Sequence, residues 1–237
     1  MSEILKINNL WGGYKEGVDI LRGISLEVQQ GEAVGIIGLN GSGKSTFGKA
    51  IMNMIPFRKG EIFFEDEDIT TLTTSQLAHC GISIMQQGGK VFQNLSVWEN
   101  LQLAAQGSNS QFSILNSQLE EVFPLLQRPK KELQQLMSDK LSGGQKHQLS
   151  LSMTLATNPH LVILDEPSAG LSPKAMEEMY SILDTVKKRM GISIILIEQN
   201  IHHAIDFCSR VFLIKQGKIE KEFLSKGISE IELIMFK

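Results

Sequence analysis

Residues 33–38 read AVGIIG, a short run of aliphatic and β-branched residues. A run this short and this apolar reads as a strand buried on both faces. It breaks into GLNGSGKS (38–45), and KSTFGKAIMNMI (44–55) then carries apolar residues at helical spacing. Strand, glycine loop and helix in that order commit the chain to an α/β arrangement. A strand buried on both faces needs strand neighbours at its edges and a covering layer on each side. Four more runs of the same kind follow: GISIMQ (81–86), LVILDE (161–166), ISIILIE (192–198) and RVFLIK (210–215). Between them SPKAMEEMYSILDTVKKRM (172–190) has a helical stripe, with Pro173 near its start and Gly191 just past its end. Those are helix start and stop signals. The pattern predicts a mainly parallel sheet covered by helices.

The rest of the chain departs from that rhythm. Residues 4–10 and 19–28 alternate apolar and polar, as half-buried antiparallel strands do. No convincing strand occurs between about 97 and 154. VWENLQLAA (97–105), ILNSQLEEVFPLL (114–126) and QKHQLSLSMTLA (145–156) are helical in pattern, so a helical insert is expected over about 88–154, inside a core of about 1–87 and 155–237. GSNS (107–110) and QRPKK (127–131) read as exposed turns, and no internal repeat is visible. The 237 residues carry a net charge of −3 with the basic residues dispersed, which argues against a nucleic-acid partner. No apolar run reaches the roughly 18 residues of a membrane span. The opening MSEILKINNL lacks a basic stretch followed by a long apolar one, so no secretory signal is expected. Cys80 and Cys208, far apart, are expected to be free thiols in a reducing cytoplasm.

Three short stretches carry chemistry. GLNGSGKS fits Gly-x-x-x-x-Gly-Lys-Ser/Thr between a strand and a helix. Gly38, Gly41 and Gly43 let the backbone through Leu39, Asn40 and Ser42 curl, so that successive N–H groups converge on phosphate oxygens. The helix that opens at Lys44 and runs on through Thr46 adds its positive dipole end. Lys44 is suited to the β- and γ-phosphates, and the Ser45 hydroxyl to Mg²⁺. Kinases, GTPases and transport ATPases all share this loop. LVILDE then ends an aliphatic strand on Asp165 and Glu166, two carboxylates that would be costly there without a cation. Asp165 is the candidate Mg²⁺ ligand and Glu166 the candidate base that orients an attacking water. Finally, IILIEQN (194–200) stops a strand abruptly on Glu198, Gln199 and Asn200. Such strand ends often face a ligand in α/β proteins.

LSGGQ (141–145) narrows the class. Ser142, Gly143, Gly144 and Gln145 form a second glycine-rich helix start, hence a second anion-binding N-terminus in one domain. That makes sense if the second site serves a nucleotide held by another subunit. With this stretch the chain resembles the ATP-binding-cassette (ABC) ATPases, over essentially its whole length and with motifs in family order. The resemblance implies a P-loop NTPase (RecA-like) core with an antiparallel β subdomain and an inserted helical subdomain. It also implies ATP and Mg²⁺ as ligands, Tyr14 stacked on adenine, and Gln87 touching Mg²⁺ and linking the site to the helical insert. By the same resemblance Asp165 and Glu166 form the Walker B pair, and SAGLSP (168–173) is the D-loop. Implied partners are a second ABC ATPase subunit, closing head to tail so that each LSGGQ covers the other's ATP, and integral membrane permease subunits. The implied location is the inner face of the cell membrane.

Within that family the strand after Walker B usually ends on a histidine that hydrogen-bonds the γ-phosphate. Here the position is Gln199, and His202 and His203 read as residues of the next helix. A glutamine amide can donate one hydrogen bond but cannot become cationic. EQN, QGGKVFQNLSVWENL (87–101), EEVFPLL (120–126) and DEPSAGLSPK (165–174) are similar to the LivF-type ATPases of branched-chain amino acid importers. Related urea and amide importers share much of this sequence. Gln86 stands where proline is common, Met153 where arginine is frequent, and Ser172 where the D-loop has aspartate. The leading expectation is an ATP-hydrolysing subunit that drives solute import. The alternatives are a non-transport ABC ATPase, and an ATP clamp with weak hydrolysis at its own site.

Overall fold

In a computed structural model the structure describes residues 2–106 and 119–224. The C-terminal IELIMF, the turn GSNS and the start of ILNSQLEEVFPLL lie outside those residues. Two sheets organise the chain. The first is antiparallel, in the order β2–β1–β4–β5, from β1 (Glu3–Gly13), β2 (Leu21–Gln29), β4 (Phe57–Phe64) and β5 (Glu67–Asp68). The second has the order β10–β9–β3–β8–β7–β6, from β3 (Ala33–Ile37), β6 (Ile82–Met85), β7 (Leu161–Asp165), β8 (Ser193–Glu198), β9 (Arg210–Lys215) and β10 (Lys218–Leu224). All its neighbours are parallel except the β9–β10 hairpin. The five aliphatic runs are thus five adjacent strands, within one residue of the expected bounds at each end.

Both faces of the central sheet are buried, which is why its strands read as unbroken aliphatic runs. Ile195 and Ile197 face a core shared with the antiparallel sheet and α1 (Lys44–Ile51), including Phe47 and Ile51. Ile194 and Leu196 face the opposite core. That core is completed by α3 (Val97–Ala105), α5 (Gly143–Leu155), α6 (Pro173–Met190) and α7 (Ile201–Phe207). Two short helices, α2 (Thr74–His79) and α4 (Lys130–Gln135), precede β6 and α5 respectively. Between residues 88 and 154 the described residues contain helices and 3₁₀ turns and no strand, apart from one isolated bridge, Ser96 to Met137.

Local chemistry sets the helix ends. Ser96 and Ser142 each close a capping box, with Glu99 and Gln145 respectively. Ser172 caps α6 ahead of Pro173, and Gly191 ends it at φ 63°. Two expectations need correction. The helix expected to reach Ile55 ends at Ile51, because Asn53 turns the chain with φ 51° before Pro56. In QRPKK only the first half is a turn, for Lys130 and Lys131 already belong to α4.

Candidate active site

The C-terminal ends of β3, β7 and β8 meet at the loop 38–45, where an open parallel sheet places its ligands. Gly38 is required there by contact. A Cβ on it would lie 2.3 Å from the Ile214 carbonyl and 2.7 Å from Ser42 Oγ. Gly43 caps α1 at φ 108°, a conformation that favours glycine. The Gly217 amide in the β9–β10 turn donates to the Ser42 carbonyl and braces the loop. Lys44 is buried, and its ammonium donates to the carbonyls of Gly38 (2.9 Å) and Leu39 (3.2 Å). Burial holds its pKa below the usual lysine range, opposed by the nearby charges of Glu166, Asp165 and Glu198. Ser42 Oγ is buried with no partner among the described residues, a hydroxyl left over for a ligand.

The carboxylates sit directly across. Ser45 Oγ donates to Asp165 Oδ1 at 2.9 Å, and Asp165 is buried at the end of β7. Burial raises its pKa against the pull of Ser45, Lys49 and Lys44. Glu166 leaves the strand with φ 48°, held by the hydrogen bond that its backbone N–H donates to the Ile197 carbonyl. A non-glycine residue in that region is strained, and such strain concentrates at functional sites. Burial raises the Glu166 pKa too, opposed first by Lys44. Gln87, just beyond β6, donates its amide to Glu166 Oε2 at 2.6 Å. A cleft of about 460 Å³ is lined by Ile20, Asn40, Lys44, Ser45, Gln87, Glu166 and Gln199 among others.

A Mg²⁺ ion fits this donor set. Ser45 and Asp165 offer two hard oxygens already 2.9 Å apart. Mg²⁺ characteristically takes one or two protein ligands and completes its shell with phosphate oxygens and water. When bound it would neutralise phosphate charge.

Gln199 reaches the cleft that sequence spacing left open, but its two neighbours do not. Asn200 caps α7 by accepting from the His202 amide at 3.0 Å. Glu198 turns inward, buried, and accepts from Ser168 Oγ and Tyr180 Oη. His203 stacks on Tyr180 with ring centroids 5.1 Å apart. Tyr14 is exposed at the start of the β1–β2 connection, whose other end, Ile20, lines the cleft. Ile20 carried no sequence signal.

The signature residues sit elsewhere. Ser142, Gly143, Gly144 and Gln145 line a separate cleft of about 600 Å³, together with Gly170, Leu171 and Ser172. Ser142 and Gln145 satisfy each other's amides through the capping box. The first N–H groups of α5, at Gly143 and Gly144, have no intrahelical acceptor. So one chain holds a phosphate loop with Lys44, Ser45 and Glu166 in one cleft, and a second helix N-terminus, with Arg128 and Glu178 in its lining, in another.

A family model described as ABC transporter matches residues 21–169. The chain belongs to the ABC transporter family. It is similar to the high-affinity branched-chain amino acid transport ATP-binding protein BraG of Pseudomonas aeruginosa, 31% identical over 207 residues and covering 87% of each chain. It is also similar to the lipopolysaccharide export system ATP-binding protein LptB of Escherichia coli, 30% identical over 219 residues, 91% of this chain and 88% of that protein. Among solved structures, a nucleotide-free ATP-binding cassette from an ABC transporter superposes with a TM-score of 0.82 at 25% identity, covering 99% of this chain and 96% of that one. The ADP conformation of the cassette MJ1267 gives 0.82 at 26% identity, covering 100% and 96%. This cassette is therefore an ABC ATPase subunit. Among its described residues no helix is long and apolar enough to cross a membrane.

Proposed function

We propose that this cassette is the ATP-hydrolysing subunit of an importer for branched-chain or other amino acids, docked at the inner face of the membrane onto permease subunits and paired with a second cassette. The observation that carries the reading is the separation of the two clefts. The phosphate loop and Glu166 line one, with Asp165 hydrogen-bonded behind Ser45, and the signature at 142–145 lines the other. A nucleotide bound at Lys44 then leaves the signature for a nucleotide on a second subunit. Similarity to BraG, and to a probable LivF protein of Archaeoglobus fulgidus, supports the solute class.

In this reading the loop amides 38–46 and Lys44 bind the phosphates, and Tyr14 stacks on the base. Lys44 exchanges its two carbonyl acceptors for phosphate oxygens. Ser45 and Asp165 would hold Mg²⁺, and Gln87, once released from Glu166, would be a further oxygen donor to it. Glu166 takes a proton from the attacking water, and Gln199 donates to the γ-phosphate. The helical insert over 88–154 receives the movement of Gln87. Release of Gln87 when nucleotide binds makes the closed arrangement depend on ATP.

The test is hydrolysis by the complex purified through a tag on this chain. Turnover that rises when a leucine-loaded solute-binding protein is added supports import. Turnover unaffected by that protein but raised by lipopolysaccharide would favour export, the second reading motivated by the similarity to LptB. Light scattering on Glu166→Gln with and without Mg-ATP separates the dimer types. Association with itself indicates a homodimer, and a monomer that still binds ATP indicates a different partner cassette.

A further inference from the structure

Glu198 is a buried carboxylate to which the site as described gives no role. It is 3% exposed at the end of β8. Among the described residues it makes no ion pair. Its charge is met by three donors instead: Ser168 Oγ at 2.7 Å, Tyr180 Oη at 2.8 Å and the Gln199 amide at 3.1 Å. Burying a carboxylate this way is costly, and an apolar side chain would fill the position more cheaply. Tyr180 is a dependable donor, since burial and then the Glu198 charge push its phenol far above the usual range. Tyr180 is itself clamped by the stacked ring of His203 and the tilted ring of Phe207 at 6.0 Å.

The donors come from different places. Ser168 begins the segment whose Gly170, Leu171 and Ser172 form one wall of the signature cleft. That segment is a tight turn, with the Ala169 amide bonded to the Glu166 carbonyl and the Leu171 amide to the Ser168 carbonyl. Gln199, the next residue in the chain after Glu198, lines the phosphate cleft. One carboxylate thus grips the wall of one cleft while its own backbone carries a side chain into the other.

We propose that Glu198 is a positioning residue that ties the segment 168–172 to the strand end bearing Gln199, so that nucleotide in the phosphate cleft sets the geometry of the signature cleft. A shift of Gln199 on binding moves the Glu198 backbone, and the short bond to Ser168 Oγ passes the shift to the segment that lines the signature cleft. This rests on the assignment of the phosphate cleft given above.

The experiment is amide hydrogen exchange over 168–172 in the full-length chain, with and without Mg-ATP, alongside calorimetric ATP affinity and the thermal midpoint. The variants are Ser168→Ala, Ser168→Thr, Glu198→Gln and the double variant Ser168→Ala/Glu198→Gln. In the wild type, Mg-ATP changes the exchange rates of this segment. Ser168→Ala and Glu198→Gln keep ATP affinity within about three-fold, a difference well under 1 kcal/mol, yet bring the ratio of exchange rates close to one. Ser168→Thr, which retains a hydroxyl, restores the response, and the double variant is no worse than either single one. A wild-type segment that ignores Mg-ATP overturns the proposal, as does a Ser168→Ala chain that responds like wild type. Lys44→Ala retaining full ATP affinity would instead mark the cleft assignment as the step that failed.

Discussion

At the scale of single residues the site is a set of charges held under burial, and the signs of their pKa shifts yield predictions. Burial raises the pKa of Asp165 and of Glu166, so the native chain binds protons more tightly than the unfolded one. As pH climbs from the unfolded carboxylate range through the raised native values, the nucleotide-free protein loses stability. Asp165→Asn removes that penalty while still accepting from Ser45. It is expected to raise the melting temperature of the nucleotide-free protein at neutral pH and to depress Mg²⁺-dependent hydrolysis, both measurable on one preparation. On the proposed assignment Glu166 acts as base only when ionised, so the acid limb of the kcat/KM profile, which reports the free enzyme, is expected above the range of an ordinary glutamate. Glu166→Gln should lower turnover by about 10²–10⁴-fold with ATP affinity retained. Gln199→His introduces a donor that can carry charge. If the amide limits the chemistry, turnover rises about ten-fold, the equivalent of roughly 1.4 kcal/mol from a charge-assisted bond.

At the scale of elements, the signature helix α5 and the loop before α1 are N-termini built differently. The first is capped by side chains, and Gly43 in a left-handed conformation opens the second. Ser142→Ala is expected to cost about 1 kcal/mol of stability, read by denaturant unfolding, because it removes the acceptor for the Gln145 amide. What was legible in the sequence follows from the same local physics. The five strands buried on both faces announce themselves as aliphatic runs, and α6 by Ser172, Pro173 and Gly191. FRKGEIFF (57–64) and KIEKEFL (218–224) show no clear alternation, because the first five residues of β4 are exposed or half-buried, β10 is largely exposed, and both carry charges. The phosphate loop and the Asp165–Glu166 pair are contiguous motifs and were readable. The Gln87–Glu166 bond spans 79 positions, and the bonds of Glu198 span 30 and 18. No local pattern encodes such pairings, which only the sheet order brings together.

At the scale of the molecule, the central feature is that one chain carries two helix N-termini in two clefts. On the proposed assignment the first cleft, lined by Lys44, Ser45 and Glu166, carries the ATP chemistry. The ABC family assignment and the fold agree with this layout, and the proposed import role extends it to partners. The most direct test uses the isolated chain and compares Lys44→Ala with Gly143→Asp by calorimetric titration of Mg-ATP. Gly143 has open space where a Cβ would stand, and an acidic residue in the first turn of α5 favours the helix while repelling phosphate. The account predicts that Lys44→Ala abolishes ATP binding while Gly143→Asp binds ATP like the wild type. If Gly143→Asp weakens binding as much as Lys44→Ala does, both helix starts serve one nucleotide within one chain, and the two-cleft account is wrong.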